Sequence, residues 1–256
     1  MIRVGVIGAT GKVGAEVCRA VDADPDLELV AGISRSKAGE PASTALGLDG
    51  SDVVLSEDLS SFVDARVEVA VDFTSASFAP EHVAWSIEHG VHIVVGTTGF
   101  QIDEGWRQAP VGVFVAPNFA IGAALMQRFA REAARYLPAV EILELHHEGK
   151  ADAPSGTAAA TADAIADARP ESWAAGPSSG SIPGVRGGER AGIRIHSIRL
   201  PGLVAHQEVI FGGQGQTLTI RHDSMDRTSF VPGVLTAIRW VPTHPGLTVG
   251  LDAILE

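Results

Sequence analysis

Hydrophobic and polar residues follow two different periods along residues 1–117. Short runs that are apolar at nearly every position predict buried strands, and apolar residues spaced three or four apart predict amphipathic helices. The predicted strands are Ile2–Ile7, Leu27–Ile33, Val67–Phe73, Val91–Val95 and Val113–Val115, and the predicted helices are Lys12–Val21 and Pro80–Glu88. Because apolar strands that alternate with helices form parallel sheets covered on both faces, we predict an α/β domain over residues 1–117.

The pattern changes after Asn118. Helical spacing predicts one long helix over Gly122–Tyr136 and a second over Thr157–Ala168. The predicted strands are Glu141–Leu145, Ile193–Leu200, Gln207–Phe211 and Gln216–Arg221, of which the last three have the spacing of hairpins. An open antiparallel or mixed sheet with helices predicts a second, α+β domain over residues 118–229.

Two segments are harder to place from their pattern. Pro170–Gly192 is rich in Gly, Pro and Ser, which predicts a loop that is either an unstructured connector or a functional lid. The final segment, Phe230–Glu256, is apolar and mixed, and its pattern does not tell which domain it packs on.

Composition excludes several classes of protein. The 256 residues are 45% hydrophobic and include 31 acidic against 19 basic residues, a net charge of −12. A nucleic acid or an anionic membrane would require a basic surface, so we expect neither as a partner. The start of the chain lacks a signal-peptide pattern, and the most apolar stretch, Val111–Met126, is interrupted by Pro117 and Asn118. These features predict a cytoplasmic protein.

A glycine-rich loop connects the first predicted strand to the first predicted helix. Its sequence is Gly8-Ala9-Thr10-Gly11-Lys12-Val13-Gly14. Glycine allows a sharp turn and lets a phosphate approach the backbone, and the N–H groups of a helix N-terminus bind an anion. The loop therefore predicts a site for the pyrophosphate of a dinucleotide, although a tight turn without a ligand has the same pattern.

The residues that follow the second strand bear on the choice of dinucleotide. In dinucleotide-binding folds an acidic residue about 20 positions beyond the loop binds the ribose hydroxyls. Here Ser34 occupies that position, Arg35 and Lys37 follow, and no acidic residue occurs before Glu40. Since these side chains accommodate a 2′-phosphate that a carboxylate would repel, we predict that they bind the cofactor and that NADPH is preferred over NADH. The alternative is that Arg35 and Lys37 are solvated surface residues.

The densest group of chemically active residues follows the strand Glu141–Leu145. His146, His147 and Lys150 leave the strand end together, and the residues Pro154-Ser155-Gly156-Thr157 open the next helix. Imidazoles, an ammonium group and a helix N-terminus are suited to binding a small carboxylate substrate and moving a proton beside it. A purely structural pair of histidines is an alternative. A metal ion would need a third ligand that the segment lacks, so we predict no metal site.

Lysine is scarce in this chain. Only three of the 19 basic residues are lysines, namely Lys12, Lys37 and Lys150, and all three lie in these candidate sites. An ammonium group can release a proton near neutral pH in a suitable environment, and a guanidinium group cannot. The scarcity therefore favours a chemical role for Lys150, whereas arginine would serve a phosphate as well as Lys12 or Lys37.

Several motifs, taken together and in order, resemble the 4-hydroxy-tetrahydrodipicolinate reductase family, also called dihydrodipicolinate reductase. Residues 144–158 resemble its signature segment, and the loop of residues 8–14 is similar to its cofactor loop. Three further matches are Val71-Asp72-Phe73-Thr74, Gly96-Thr97-Thr98-Gly99-Phe100 and Ala116-Pro117-Asn118-Phe119. The resemblance covers nearly the whole chain. It implies NADPH- or NADH-dependent reduction of a cyclic imine dicarboxylate in diaminopimelate and lysine biosynthesis.

The resemblance also implies the roles of individual residues. His146 would be the catalytic acid/base, and Lys150 the proton donor or a cationic anchor. His147 would contact the substrate, and Gly156 and Thr157 would hold a substrate carboxylate. The pyrophosphate would be bound by Gly8, Ala9, Thr10, Gly11, Lys12 and Val13. The nicotinamide end would be flanked by Gly96, Thr97, Thr98, Ala116, Pro117, Asn118 and Phe119.

The family's architecture is a Rossmann domain followed by a substrate domain whose sheets associate into a homotetramer. The chain's end usually returns to the cofactor domain. The chain departs from the family's pattern in two places: Ser34 replaces a frequent acidic residue, and Glu148-Gly149 occurs where a further histidine is common. We expect Glu148 to face outward.

Two other enzyme classes and a non-catalytic protein are the competing interpretations. A semialdehyde dehydrogenase needs a nucleophilic cysteine in its catalytic region, but the only cysteine, Cys18, lies on the first predicted helix. An extended-type epimerase needs a Tyr-x-x-x-Lys pair, and the only tyrosine, Tyr136, is followed by Val140 at that spacing. A non-catalytic NADP-binding sensor would not need His146 and Lys150. The single cysteine also rules out an intramolecular disulfide and a cysteine-based zinc site.

Overall fold

The computed structural model of the protein describes residues 1–169 and 182–255. The chain divides into two compact units, of which the first comprises Met1–Phe119 with Arg227–Glu256 and the second comprises Ala120–Asp226. Residues 170–181 of the Gly/Pro/Ser-rich loop lie outside the described residues, so the lid prediction is untested there. Within this part of the chain, no helix is long and apolar enough to cross a membrane.

The first unit is built around a six-stranded sheet in which every pairing is parallel. Its strands are β1 (Ile2–Ile7), β2 (Leu27–Ile33), β3 (Val69–Asp72), β4 (His92–Val95), β5 (Gly112–Val115) and β11 (Gly246–Val249), in the order β11-β5-β4-β3-β1-β2. The prediction of a parallel α/β sheet is confirmed. Strand β11 comes from the chain's end and pairs with β5, so the terminal segment belongs to the first unit.

Helices of the first unit bury apolar residues at helical spacing. Helix α1 (Gly14–Asp22) buries Val17, Cys18 and Val21. The other helices are α2 (Ala42–Leu46), α3 (Ser60–Asp64), α4 (Ala79–Glu88) and α7 (Val231–Trp240), with short 3₁₀ turns at Glu104–Gln108, Arg227–Phe230, Val241–Thr243 and Leu251–Ile254. The sequence pattern did not reveal α2 and α3, because five residues are too short to show a helical period.

The second unit contains a five-stranded mixed sheet. Its strands are β6 (Ala139–His146), β7 (Gly188–Arg190), β8 (Ile193–Arg199), β9 (Ala205–Gly213) and β10 (Gln216–Ser224), in the order β10-β9-β6-β8-β7. Its two helices are α5 (Ile121–Ala133) and α6 (Gly156–Ala168). The helices and one sheet face share a core that includes Met126, Ile142, Ile165, Val209 and Phe211.

Strand β6 lies at the centre of this sheet, which corrects part of the hairpin prediction. The strands β9 and β10 form a hairpin as predicted, but β8 and β9 do not pair with each other. Instead β6 lies between them, parallel to β8 and antiparallel to β9. The connection from β8 to β9 therefore crosses the end of β6, where Leu200 N–H donates to the His146 carbonyl oxygen at 3.2 Å. Strand β7 also lies inside the segment predicted to be a loop.

Candidate functional site

The loops of the first unit meet at one edge of its sheet. All six strands are parallel, so their carboxyl ends lie together, and strand order reverses between β1 and β3. The residues predicted to bind a cofactor follow four of these ends: Gly8 to Val13 after β1, Ser34 to Lys37 after β2, Gly96 to Thr98 after β4, and Ala116 to Phe119 after β5. A crevice at such a reversal is where open α/β sheets bind ligands.

Packing within the chain requires glycine at two positions of the loop of residues 8–14. Gly8 has φ +82°, and a Cβ there would lie 2.6 Å from the Phe73 carbonyl oxygen. A Cβ on Gly14 would lie 2.1 Å from the Gly8 carbonyl oxygen, so glycine lets α1 start directly against the loop. Helix α1 begins at Gly14 rather than at the predicted Lys12, which leaves Lys12 exposed in the loop. This places the start of a helix beside the loop, as a pyrophosphate site requires.

A cavity of about 730 Å³ lies at the ends of β1 and β2. Four residues predicted from the sequence or its resemblance line it: Gly8, Thr10, Ser34 and Arg35. The others include Thr74, Phe78, His82 and Trp85 together with the carboxylates Glu57, Asp58 and Glu81. This volume and its aromatic lining suit a nucleoside.

Arg35 and Lys37 differ in their surroundings. The Arg35 guanidinium carbon lies 4.9 Å from the centre of the Phe78 ring, inside the lining of the cavity. Lys37 is not among the lining residues, and its Nζ pairs with Glu40 at 3.0 Å. Ser34 is buried, and its hydroxyl lies 2.6 Å from the Thr10 hydroxyl. Of the two cations, Arg35 is therefore the better placed to meet a cofactor in this cavity.

Asp72 organises the edge of the sheet, although the sequence singled out only the match of its strand end. This fully buried carboxylate accepts hydrogen bonds from the Thr74 and Thr97 hydroxyls at 2.8 and 2.7 Å. Its other oxygen lies 2.5 Å from His82 Nδ1, and His82 lines the cavity. The side chain of Thr97 is thus engaged within the protein, and Thr98 is exposed beside it.

Two further loops carry the residues predicted to flank the nicotinamide. Gly96 is required locally, because a Cβ there would lie 2.0 Å from the Phe73 ring. Ala116 N–H donates to the Val95 carbonyl oxygen at 3.0 Å, which holds the end of β5 beside that of β4. Phe119 is buried, with ring centres 5.8 Å from Phe73 and 5.9 Å from Phe114. Pro117 and Asn118 lie between Ala116 and Phe119 on the segment that follows β5.

In the second unit, His146 lies at the end of β6 and contacts a buried carboxylate. Glu144 lies two residues earlier on the same face and is fully buried. Its Oε2 lies 2.5 Å from His146 Nδ1. Burial raises the pKa of Glu144, but hydrogen bonds from His146, Arg199 and Ser197 outweigh it and lower the pKa to about 2. The side chain is therefore a carboxylate at neutral pH, and His146 donates to it from Nδ1.

Arg199, at the end of β8, binds the same carboxylate. Its Nη1 and Nη2 donate to the two oxygens of Glu144 at 2.9 and 2.8 Å. The same guanidinium donates to the carbonyl oxygens of Lys150 at 3.3 Å and of Asp152 at 2.7 Å. Arg199 thus ties the loop that carries Lys150 to the strand that carries His146.

Lys150 forms an ion pair that the sequence reasoning missed. Its Nζ lies 2.8 and 2.9 Å from the two carboxylate oxygens of Asp152. The hydrogen bond from Lys150 lowers the pKa of Asp152 from its ordinary value. A carboxylate two residues away therefore holds the ammonium group.

His147 and its neighbours form an exposed turn between the strand and Lys150. Lys150 N–H donates to the His147 carbonyl oxygen at 3.1 Å. A Cβ at Gly149 would lie 3.3 Å from His147 Nδ1, so the glycine leaves room for the imidazole. Glu148 is exposed, in agreement with the expectation that it faces outward.

Gly156 and Thr157 are the first two residues of α6. Ser155 caps the helix by accepting from Ala158 N–H at 3.2 Å, and its own N–H donates to Glu144 at 3.3 Å. A Cβ at Gly156 would meet nothing within 4 Å. Unlike Gly8, Gly14 and Gly96, this glycine leaves space beside a helix N-terminus that can receive an anion.

Glu144 makes a pH-dependent contribution to stability. Its pKa is about 2 in the folded protein against an ordinary 4.5, so the ionised form stabilises the fold above about pH 4.5. That contribution decreases as the pH falls towards 2. In urea titrations from pH 7 to pH 3, we expect the difference in unfolding free energy between the wild type and Glu144→Gln to shrink below about pH 4.5. A difference that stays constant over this range contradicts the assignment.

Two further chemistries concern the single cysteine and a bound metal ion. Burial raises the pKa of the Cys18 thiol to about 12, so this cysteine is not poised as a nucleophile. Among residues 1–169 and 182–255, no three His, Cys, Asp or Glu side chains are grouped so that they could hold a metal ion.

Comparison with known proteins adds to this geometry. The family model described as the N-terminus of dihydrodipicolinate reductase matches residues 2–119, and the model of its C-terminus matches residues 122–255. The 4-hydroxy-tetrahydrodipicolinate reductase of Nocardia farcinica is 50% identical over 265 residues, covering 100% of this chain and 99% of the relative. The enzyme of that name from Mycobacterium sp. strain KMS is 50% identical over 268 residues with the same coverage.

A solved structure is similar over the full length as well. The dipicolinate-bound dihydrodipicolinate reductase from Paenisporosarcina sp. TG-14 has a TM-score of 0.88 and is 42% identical, with 100% of both chains covered. The match of the C-terminal family model runs to residue 255, although Arg227–Glu256 belongs to the first compact unit. The family model therefore follows chain order, whereas the units follow packing.

Proposed function

The chain belongs to the dihydrodipicolinate reductase family, and we propose that its first unit binds the cofactor while His146 and Lys150 in the second serve the chemistry. The protein is an NAD(P)H-dependent oxidoreductase that reduces 4-hydroxy-tetrahydrodipicolinate in diaminopimelate and lysine biosynthesis. The observation that carries the residue assignment is the buried Glu144 carboxylate, which holds His146 and, through Arg199, the Lys150 loop.

The reaction adds a hydride and a proton and releases the substrate's hydroxyl as water. When bound, the reduced nicotinamide supplies the hydride, which goes to the ring carbon that bears the hydroxyl. In our proposal His146 and Lys150 supply the proton transfers, and Nε2 of His146, the ring nitrogen that does not contact Glu144, is the one that exchanges the proton. Lys150, held by Asp152, is the proton donor or the cation that anchors the substrate.

Two groups in the second unit suit the substrate's carboxylates. Gly156 and Thr157 offer the N-terminus of α6, with space beside the glycine. His147 is exposed on the turn before Lys150 and contacts the second carboxylate in our proposal. A related protein that was solved with dipicolinate, a planar dicarboxylate, supports a site for two negative charges.

The first unit fits a dinucleotide in both shape and chemistry. Gly8 and the start of α1 form the cradle for the pyrophosphate, with the loop residues up to Val13 around it. The cavity beside Ser34 and Arg35 takes the adenosine part. The loops of residues 96–98 and 116–119 hold the nicotinamide part.

We expect NADPH to be preferred over NADH. Among the described residues that line the adenosine cavity, Arg35 is the one arginine or lysine, and Ser34 leaves the end of β2 without a carboxylate. Arg35→Ala should lower kcat/KM for NADPH about tenfold and leave that for NADH nearly unchanged, because about 1.4 kcal/mol is lost with a charge-assisted hydrogen bond. Lys37→Ala is the comparison, with a smaller expected effect because Lys37 pairs with Glu40. A wild type that clearly prefers NADH contradicts the prediction.

The direct test of the activity is a coupled assay. The substrate is generated by the preceding synthase reaction, and the loss of reduced-nicotinamide absorbance is followed with NADH and NADPH in parallel. Turnover with either cofactor supports the proposal. Cofactor binding without turnover indicates the sensor alternative.

The assembly and location are also part of the proposal. On the sheet face opposite α5 and α6, Leu143, Leu145, Ile198 and Ile210 alternate with the core residues and are partly exposed. We propose that this face associates into a cytoplasmic homotetramer. Light scattering should then give four times the chain mass of 26.6 kDa, and a mass of one or two chains contradicts it.

A further inference from the structure

We propose that Glu144 is the positioning residue that fixes His146 in its Nδ1–H tautomer, and that Arg199 couples this orientation to the loop of Lys150. The inference deepens the proposed function, since it rests on His146 as the acid/base. It assigns a role to two residues that do not themselves exchange a proton with the substrate.

The contacts of Glu144 leave His146 only one arrangement. Both carboxylate oxygens accept hydrogen bonds from Arg199, at 2.9 and 2.8 Å, and Ser155 N–H donates to Oε1 at 3.3 Å. Ser197 donates to the same carboxylate from its side chain, so each of these three partners is a donor. Nδ1 of His146, 2.5 Å from Oε2, must carry a proton to join them. In the neutral imidazole, Nε2 is then the acceptor.

The charge of Arg199 keeps the shared proton on the histidine. A carboxylate that receives two hydrogen bonds from a guanidinium group is a weak base, so it does not take the proton from Nδ1. His146 can therefore gain and lose a proton at Nε2 without a competing transfer at Nδ1. In catalytic sites where a buried carboxylate orients an imidazole, one ring nitrogen binds the carboxylate and the other exchanges the proton.

Arg199 extends the same control to the second candidate group. Its donation to the carbonyl oxygens of Lys150 and Asp152 holds the backbone on both sides of the Lys150 ion pair. A change at Glu144 therefore releases Arg199, and with it the Lys150 loop. Both groups should lose their positions together.

The chain contains a matched control on the same strand. Glu141 also lies between a histidine and an arginine, with His196 Nε2 at 2.8 Å and Arg186 Nη2 at 2.6 Å. It lies three positions before Glu144 and therefore on the other face of β6, and its side chain is 37% exposed. Glu141→Gln thus removes the same type of charge from the same strand without touching His146.

The tautomer is measured directly by ¹⁵N NMR of histidine-labelled protein, with His146 assigned by its loss in His146→Gln. Wild type and Glu141→Gln should show the Nδ1–H form for neutral His146. Glu144→Gln should show a substantial Nε2–H population. An Nε2–H form in the wild type, or an unchanged tautomer in Glu144→Gln, overturns the proposal. The wild-type spectrum decides the first point even where the variant fails to fold.

Kinetics separate this inference from the proposed function. In Glu144→Gln, kcat should fall about 10–100-fold with a much smaller change in KM, and Glu141→Gln should keep both. Arg199→Lys should also lower kcat, because one ammonium cannot reach two oxygens and two carbonyls. An inactive wild type that still shows the Nδ1–H tautomer rejects the function while the orientation stands. An active Glu144→Gln variant with unchanged kcat rejects the positioning role alone.

Discussion

Replacing His146 with Gln is expected to lower kcat by about 10²–10⁴-fold, the range that general acid–base catalysis contributes. Glutamine keeps a polar side chain of similar reach at the end of β6, but its amide does not exchange a proton near neutral pH. Since the groups proposed to hold the substrate's carboxylates lie elsewhere, on the turn at His147 and at the start of α6, KM should change much less. Steady-state rates in the coupled assay, at saturating cofactor, measure both parameters.

The matched control for this prediction is His196→Gln. His196 also pairs with a glutamate of strand β6, at 2.8 Å, but on the face away from Glu144. Because His196 lies on the sheet face proposed for assembly, light scattering should first show that the variant keeps the wild-type mass. Its replacement should then leave kcat within about twofold, because His196 and His146 lie on opposite faces of the sheet. If His146→Gln turns over as fast as His196→Gln, His146 is not the acid/base.

Substitutions of Lys150 are expected to affect substrate binding and turnover differently. Lys150→Arg keeps a positive charge opposite Asp152, so KM should remain within a few-fold of the wild type. A guanidinium group does not give up a proton at neutral pH, and kcat should therefore fall by about 10²–10⁴-fold. Lys150→Ala removes both charge and proton and should raise KM as well as lower kcat.

The pair of lysine variants decides between the two roles left open for this residue. A Lys150→Arg variant with near-normal kcat would make Lys150 a cationic anchor only. An alanine variant with near-normal kcat and KM would remove Lys150 from the site altogether.

The parallel sheet could be predicted because its strands are apolar throughout. The predicted bounds Ile2–Ile7 and Leu27–Ile33 are those of β1 and β2. The placement of β6 between β8 and β9 could not be predicted, because local spacing favours pairing between neighbours in sequence. Strand β11 was missed for a related reason, since Gly246–Val249 is only four residues long and pairs with a strand far away in the chain.

The candidate site was only partly predictable. His146, His147 and Lys150 are close in sequence, so their proximity could be read from spacing. Asp72 and Glu144 were present in the quoted motifs. Their roles could not be predicted, because the side chains that bind these buried carboxylates come from other helices and strands. His82 comes from α4, and Arg199 comes from β8 only because that strand pairs in parallel with β6. A signal did exist for Glu144: an acid at a core-facing position of an alternating strand, two residues before a histidine on the same face.

The contacts of His146 depend on the register of β6 in its sheet, so activity reports whether this strand is correctly aligned. Val140, Ile142, Glu144 and His146 face one side, and Glu141 faces the other. A slip of one residue against β8 and β9 would turn every side chain of the strand over. Glu141 would then enter the helix-covered core, and His146 would lose Glu144 and Arg199 as neighbours. A misregistered chain could retain much of its strand content and still be inactive, so recovered turnover after refolding reports strand alignment, which circular dichroism does not detect.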